Sequence, residues 1–215
     1  ILLNPPTFDA RVSTQPDGSQ RSAGNAVDNP YWTVNNNPFS DEADRFMGSA
    51  NLKYKLINNL SLHYQLSGDY LSGEAKTALN RGSVYDPLGH VMNRDEKFKS
   101  LLSKFYARFT KSWGKFEADA ILGHEYTTSK RTIKRLDGYE IINPGYYHIG
   151  NTNQVTRFYQ QFKRHSTALF GKVSLDYDRM LQLEAGMREE WSSVSVATLA
   201  SPSVGLAVNI HQMFR

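Results

Sequence analysis

The sequence predicts an all-β protein whose strands form an antiparallel transmembrane β-barrel wall. Three observations carry that prediction. Apolar and polar residues alternate strictly in seven segments, tight turns alternate with long connections, and aromatic residues gather at both ends of the apolar face. Alternation at every second residue is the signature of a strand with one apolar and one polar face, because successive side chains leave a strand on opposite sides.

The segments follow in order. "FMGSANLKYKL" (46–56) sets Phe46, Gly48, Ala50, Leu52, Tyr54 and Leu56 on one face. "LSLHYQLSGDY" (60–70) sets Leu60, Leu62, Tyr64, Leu66, Gly68 and Tyr70 against Ser61, His63, Gln65, Ser67 and Asp69. "LLSKFYARF" (101–109) opposes Leu101, Phe105, Ala107 and Phe109 to Lys104, Tyr106 and Arg108. "FEADAILGHEY" (116–126) opposes Phe116, Ala118, Ala120 and Leu122 to Glu117, Asp119 and Glu125. "LFGKVSLDY" (169–177) and "LQLEAGMREEW" (181–191) repeat the pattern, and "VGLAVNI" (204–210) ends it with Val204, Leu206, Val208 and Ile210. Helical spacing fits none of these segments as well.

The connections sharpen the prediction. "INN", "KSWGK" and "DR" join consecutive pairs, whereas long segments at about 71–97 and 127–164, and a shorter one at 192–202, separate the pairs. Short turns at one end and long loops at the other are what an outer-membrane barrel shows, with the turns periplasmic and the loops extracellular. On that orientation Tyr54, Trp113, Phe116 and Tyr177 fall at the lower end of the apolar face. Phe46, Tyr70, Tyr126 and Trp191 fall at the upper end, with aliphatic residues between. Amphipathic rings prefer the two membrane interfaces. The eight steps from Phe46 to Tyr54 span roughly 26 Å of strand, close to the apolar band of a tilted barrel.

The oily face therefore looks toward lipid and the polar face toward a wet interior. A soluble β-sandwich that binds glycans is the competing fold; it would bury Leu62, Phe105, Leu122 and Val173 against a second sheet. The charges of the polar sets, Lys104, Arg108, Glu117, Asp119, Glu184 and Arg188, argue against any small filled barrel, where burying them would cost heavily.

Composition excludes several classes. Of 215 residues 40% are hydrophobic and 12% aromatic, and no cysteine is present, so disulfides, thiolate nucleophiles and cysteine metal sites are ruled out. A net charge of +4, from 25 basic and 21 acidic residues, offers no basic excess suited to nucleic acid. Mean hydropathy is −0.53 and no apolar run reaches the roughly 18 residues of a helical span, yet barrel strands leave little hydropathy signal. "ILLNPPTFDA" lacks the basic start of a signal peptide, and a chain beginning at Ile1 reads as a processed or partial piece.

Several stretches resemble the SusC/RagA family of TonB-dependent outer-membrane transporters of Bacteroidetes. They are "NPYW" (29–32), the strand pair "RFMGSANLKYKLINNLSLHYQLSGDY", "EKFKSLLSKF" (96–105), and "FGKVSLDYDRMLQLEAGMREEWSS" (170–193) followed by "SPSVGLAVNI" (201–210). The family typically ends its hairpin in an Arg-Xaa-Asp-Trp-Ser-Ser-like run; here Glu190 replaces the Asp, and Trp191, Ser192 and Ser193 agree. The likeness covers roughly 29–215. It implies a 22-stranded barrel plugged by an N-terminal domain, of which these seven strands are part. It also implies uptake of glycans or oligopeptides at the cell outer membrane, with a SusD-like surface lipoprotein as lid and the TonB complex, acting through a plug, as energy source. No plug is expected in these residues. The expected organisation is 1–45 as outer loop and strand entry, 46–126 as four strands, 127–164 as a long outer loop and 165–215 as three strands.

Chemistry is sparse. The six histidines, His63, His90, His124, His148, His165 and His211, show no metal-site spacing, and His124 stands oddly on the apolar face. Carboxylate pairs at Glu117/Asp119 and Glu189/Glu190 fit lumenal charge better than a glycosidase dyad, and no nucleophile motif is present; an enzyme would need a convergent Ser/His/acid cluster. No catalysis, metal or organic cofactor is expected, and outer-membrane lipid is the expected surrounding. The stretch 129–165 carries seven Lys or Arg against two acids with tyrosines interleaved. It suits ligand capture, or contact with lipopolysaccharide phosphates or a partner lipoprotein. The candidate ligand residues are Tyr31 and Trp32 of "NPYW" and Tyr139, Tyr146 and Tyr147.

Overall fold

The structure, a computed structural model, describes residues 7–22, 24 and 27–209. Its seven strands are β1 (Phe39–Ile57), β2 (Leu60–Leu79), β3 (His90–Trp113), β4 (Phe116–Ile141), β5 (Thr152–Tyr177), β6 (Leu181–Ser192) and β7 (Leu199–Val208). A short helix, α1 (Pro30–Asn36), precedes them, and a 3-10 turn at Ile149–Asn151 leads into β5. All seven strands lie in one sheet in sequence order, β1 to β7, each hydrogen-bonded to its chain neighbours, so the sheet is an open wall. The soluble-sandwich alternative falls here, because among the described residues no second sheet covers the apolar face. Phe105 stays 45% exposed, Leu122 70% and Val173 48%.

The alternating segments are strand up to Val208, as the sequence predicts, but most of the strands run much further. β4 and β5 are 26 residues each, against the roughly 9–11 a tilted strand needs to cross a bilayer. The connections expected at 71–97 and 127–164 are therefore mostly strand. What remains outside strands is 80–89, 142–151 and 193–198, and the entry strand begins at Phe39, inside the expected outer loop. These extensions escaped the periodicity argument because water, on both faces, removes the need for apolar alternation. Ile210 and His211 lie outside the described residues.

Local chemistry explains the turns. Asp178 and Arg179 both take positive φ (54° and 56°), as in the primed turns whose twist matches antiparallel strands; Met180 N–H bonds Tyr177 C=O at 2.9 Å, and Tyr177 pairs with Leu181 across the three-residue connection 178–180. Lys115, in the neighbouring turn, bonds Asp178 at 2.6 Å.

The chain divides into two compact units, one of residues 1–44, 71–97 and 131–161, the other of 45–70, 98–130 and 162–215. In the first, a small apolar cluster of Ala78, Val91 and Ile141 packs with Tyr147 and Ile149. Asn29 caps α1, its side chain accepting from the N–H groups of Tyr31 and Trp32. Asp28 accepts from Ser83 Oγ at 2.6 Å and from Val84 N–H at 2.6 Å, fixing α1 to the 80–89 connection.

Candidate functional site: a paired-charge wall and a membrane face

In the second unit the two faces of the sheet differ in kind. On the polar face Arg45 pairs with Asp69 at 2.7 Å, Arg108 with Asp119 at 2.6 Å and Lys172 with Glu184 at 2.6 Å. Glu125 on β4 joins Lys104 of β3 at 3.6 Å and Arg188 of β6 at 2.9 Å, and Arg188 also reaches Glu190 at 3.2 Å. These residues come from six strands, β1 to β6, and pairing of the strands makes neighbours of all but Arg188 and Glu190, which share β6. His63 stacks on Tyr106 with ring centroids 4.5 Å apart and shares a 2.9 Å hydrogen bond with Ser61. Phe170 lies over Gly123, with the ammonium of Lys104 4.9 Å from its ring centre. A Cβ at residue 123 would sit 2.7 Å from the Phe105 carbonyl oxygen and hard against Phe170 and Tyr106, so only glycine leaves the ring its place.

The opposite face carries the large apolar side chains, and among the described residues they meet no second layer. Leu52, Phe105, Leu122, Val173, Met187 and Leu206 are all exposed. Strand register keeps the faces in phase: Val173 stands opposite Ala185, and Ala185 opposite Val204. At the turn end, Trp113, Phe116 and Tyr177 form a continuous aromatic run with centroid separations of 6.1 and 4.9 Å. His124, a polar ring on this face, bonds Thr167 Oγ1 of the adjacent strand at 2.7 Å, which satisfies it near the upper aromatic level.

In the first unit the charged and aromatic side chains of β3 and β4 continue as pairs. His90 stacks on Tyr139 (4.6 Å between centroids) and reaches Asp137 at 3.2 Å. Asp137, almost fully buried, also accepts from Arg135 at 2.8 Å, and the Arg135 guanidinium lies 5.4 Å from the Phe158 ring centre. Glu96 bridges Arg131 at 2.6 Å and Arg94 at 2.7 Å, and the Arg131 hydrogen bond holds its carboxyl below the usual range.

The five candidate ligand residues separate. Trp32 is only 4% exposed and faces Gly82, and Tyr147 donates to the Asn36 carbonyl at 2.9 Å while packing on the apolar cluster, so both serve packing. Burial raises the Tyr147 phenol above its ordinary value. Tyr31 and Tyr146 are exposed, the latter stacked on His148, and Tyr139 is half-buried against His90. Among the carboxylates, Asp119 is held by Arg108, and Glu189 and Glu190 point to opposite faces as consecutive strand residues must. Ser61 and His63 make the nearest approach to a nucleophile pair, yet among the described residues no carboxylate bonds His63. Among the same residues no three His, Asp or Glu gather as a metal site. The sequence reading missed the Glu125–Arg188 bridge and the Phe170–Gly123 contact. A glycine within the polar set of "FEADAILGHEY" was the available signal for the second.

Fold and faces together define the wall of a membrane-spanning β-barrel. The family model described as TonB dependent receptor-like, beta-barrel matches residues 3–214, and the chain belongs to that family. Among solved structures, that of the RagAB peptide transporter superposes with a TM-score of 0.74 at 20% identity, covering 87% of this chain and 22% of that one. The RagAB peptide importer in its "open-open" and "closed-closed" states gives 0.73 each, with the same identity and coverage. The likeness is one of fold, and the chain spans about a fifth of the length of those solved chains. Comparison with curated protein sequences returns no match. The resemblance read from "NPYW" and the closing strands is thus borne out at the level of the family and its barrel.

Proposed function

We propose that this chain forms part of the barrel of an outer-membrane nutrient importer, driven by the TonB complex through a plug and closed outside by a SusD-like lipoprotein. The observation that carries the proposal is the division of one seven-stranded sheet into an exposed apolar face and a face of mutually paired charges. Such a sheet is at rest with lipid on one side and water on the other. Transport through it needs no bond chemistry: the wall supplies a wet passage many of whose charges are already neutralised in pairs, so a polar solute meets partners without a strongly bound stop.

Oligopeptides are the substrate class the reading favours over glycans. The fold match is to a protein described as a peptide transporter, and the polar wall offers carboxylates and cations of both signs, which suit the two termini of a peptide. Tyr139 with His90, and exposed Tyr31 and Tyr146, are the proposed ligand-facing aromatics. The test for the membrane reading is a paired substitution. Leu62→Arg or Ala120→Arg on the apolar face should impair assembly by ~2–4 kcal/mol, and Ser61→Arg or Gln65→Arg should be far better tolerated. Folding into vesicles, read by heat-modifiable gel mobility, checks both; greater damage from the polar-face changes would reverse the faces. Growth of a strain dependent on this importer, on peptides against oligosaccharides, decides the substrate.

A further inference from the structure

In the first unit, where the strands run on past their alternating stretches, a hollow of about 230 Å³ crosses β1, β2 and β3. Its floor is Ala43, Leu71, Gly73 and Ala75, and its two ends are charged, Asp41 on β1 and Arg94 on β3. These side chains keep the every-second-residue phase of the polar set. Asp41 and Ala43 are in phase with Arg45, Leu71, Gly73 and Ala75 with Asp69, and Arg94 with Lys104.

Register places the two charges on one row. Ala78 N–H bonds Pro38 C=O at 3.0 Å, and a Cβ on Gly73 would lie 3.8 Å from that of Ala43, so Asp41 stands opposite Ala75. Ala78 packs with Val91, and the same count along β2 and β3 sets Ala75 opposite Arg94. Neighbouring strands lie ~4.8 Å apart, so the carboxylate and the guanidinium arise ~10 Å from each other with a methyl group between them.

The Arg94 end carries surplus positive charge. Arg94 Nη2 donates to Glu96 at 2.7 Å, but Arg131 Nε donates to the same carboxylate at 2.6 Å, so two guanidinium groups share one acid. The stack of His90 on Tyr139 fixes the β3–β4 register, which brings Arg135 opposite Arg94, and Arg135 is bonded to Asp137. A guanidinium has five N–H donors in a fixed fork, and Arg94 gives one of them to Glu96, leaving an edge for two-point capture of a further carboxylate. Asp41 at the other end is exposed, with no ion pair among the described residues. A neutral sugar would use neither end. A molecule with an ammonium and a carboxylate ~10 Å apart uses both, and three extended peptide residues span about that length. We propose that this hollow binds a short peptide by its two termini, the α-ammonium on Asp41 and the α-carboxylate on Arg94. The floor of small residues lets the peptide main chain lie close, and Leu71 supplies an apolar wall for one side chain. The proposal rests on the peptide-importer reading above and adds where the peptide is held and by which groups.

The test uses the intact transporter that carries these residues, purified in detergent, and measures binding of trialanine by calorimetry. Trialanine amide and N-acetyl-trialanine are the comparison probes. Each capped form should bind about tenfold more weakly than free trialanine, or worse. Arg94→Gln should erase the preference for the free carboxylate and keep that for the free amine, and Arg94→Lys should retain both. Asp41→Asn should keep the first preference and erase the second. Probe ratios are read within one preparation, so a variant that folds in part still reports. Absence of trialanine binding, indifference of the wild type to capping, or an equal loss of all three probes in each variant overturns the proposal. Uptake by cells separates that failure from one of the reading beneath it: import of longer peptides leaves the importer reading standing, whereas import of oligosaccharides and of no peptide sinks both.

Discussion

The strand stretches that alternate and those that do not are parts of the same strands, and they obey different solvents. In 60–70 every second residue from Leu60 to Tyr70 is apolar or glycine, and the matching stretches of β3 to β6 leave Phe105, Leu122, Val173 and Met187 exposed. In 71–79 and 131–141 the same backbone carries Glu74, Lys76, Lys134 and Arg135 among its side chains, with Ala78 and Ile141 buried under the 142–151 connection. The backbone ladder is continuous in both, so hydrogen bonding is not what separates them. Lipid demands one uniformly apolar face, and water demands nothing of the kind.

Charge insertion should break the comparison hardest. Leu122→Arg is expected to cost ~2–4 kcal/mol of folding stability in vesicles, whereas Val155→Arg, exposed in β5 beyond the alternating stretch, should stay within ~0.5 kcal/mol. Urea titration of both variants checks this, and equal costs would erase the distinction between the stretches. Next in size, Gly123→Ala should destabilise by ~1–3 kcal/mol by forcing Phe170 and Tyr106 from their places, and Phe170→Ala in the same chain should recover part of the loss.

Smaller effects sharpen the contrast on the polar face. Arg188→Ala leaves Glu125 with Lys104 and releases Glu190, and because the group is partly solvated the loss should be about 1 kcal/mol or less. Doubling the salt should shrink it further. Smallest is the pH response of Glu96. Its folded-state pKa lies below the ordinary 4.5, chiefly through Arg131, so its contribution is complete above that value and disappears as pH falls through the lower, folded one. Protection factors of the β3 and β4 amides around Glu96 and Arg131, taken relative to the intrinsic exchange rate at each pH, should therefore fall as the medium is acidified below about pH 4.5, and Arg131→Gln should flatten the response.

The sequence by itself determined the strand class, the two faces and the aromatic belts, since these follow from the period of two and from the solvent each face meets. "LSLHYQLSGDY" carries all of that within eleven residues. It did not determine where strands end in water, because β2 past Tyr70 and β4 past Tyr126 have no lipid to impose a pattern. Nor could it join Glu125 to Arg188, 63 residues apart, or hold Phe170 over Gly123. Register decides those contacts. A shift of one residue between neighbouring strands would leave every segment looking the same along the chain and would move each of these partners to the other face.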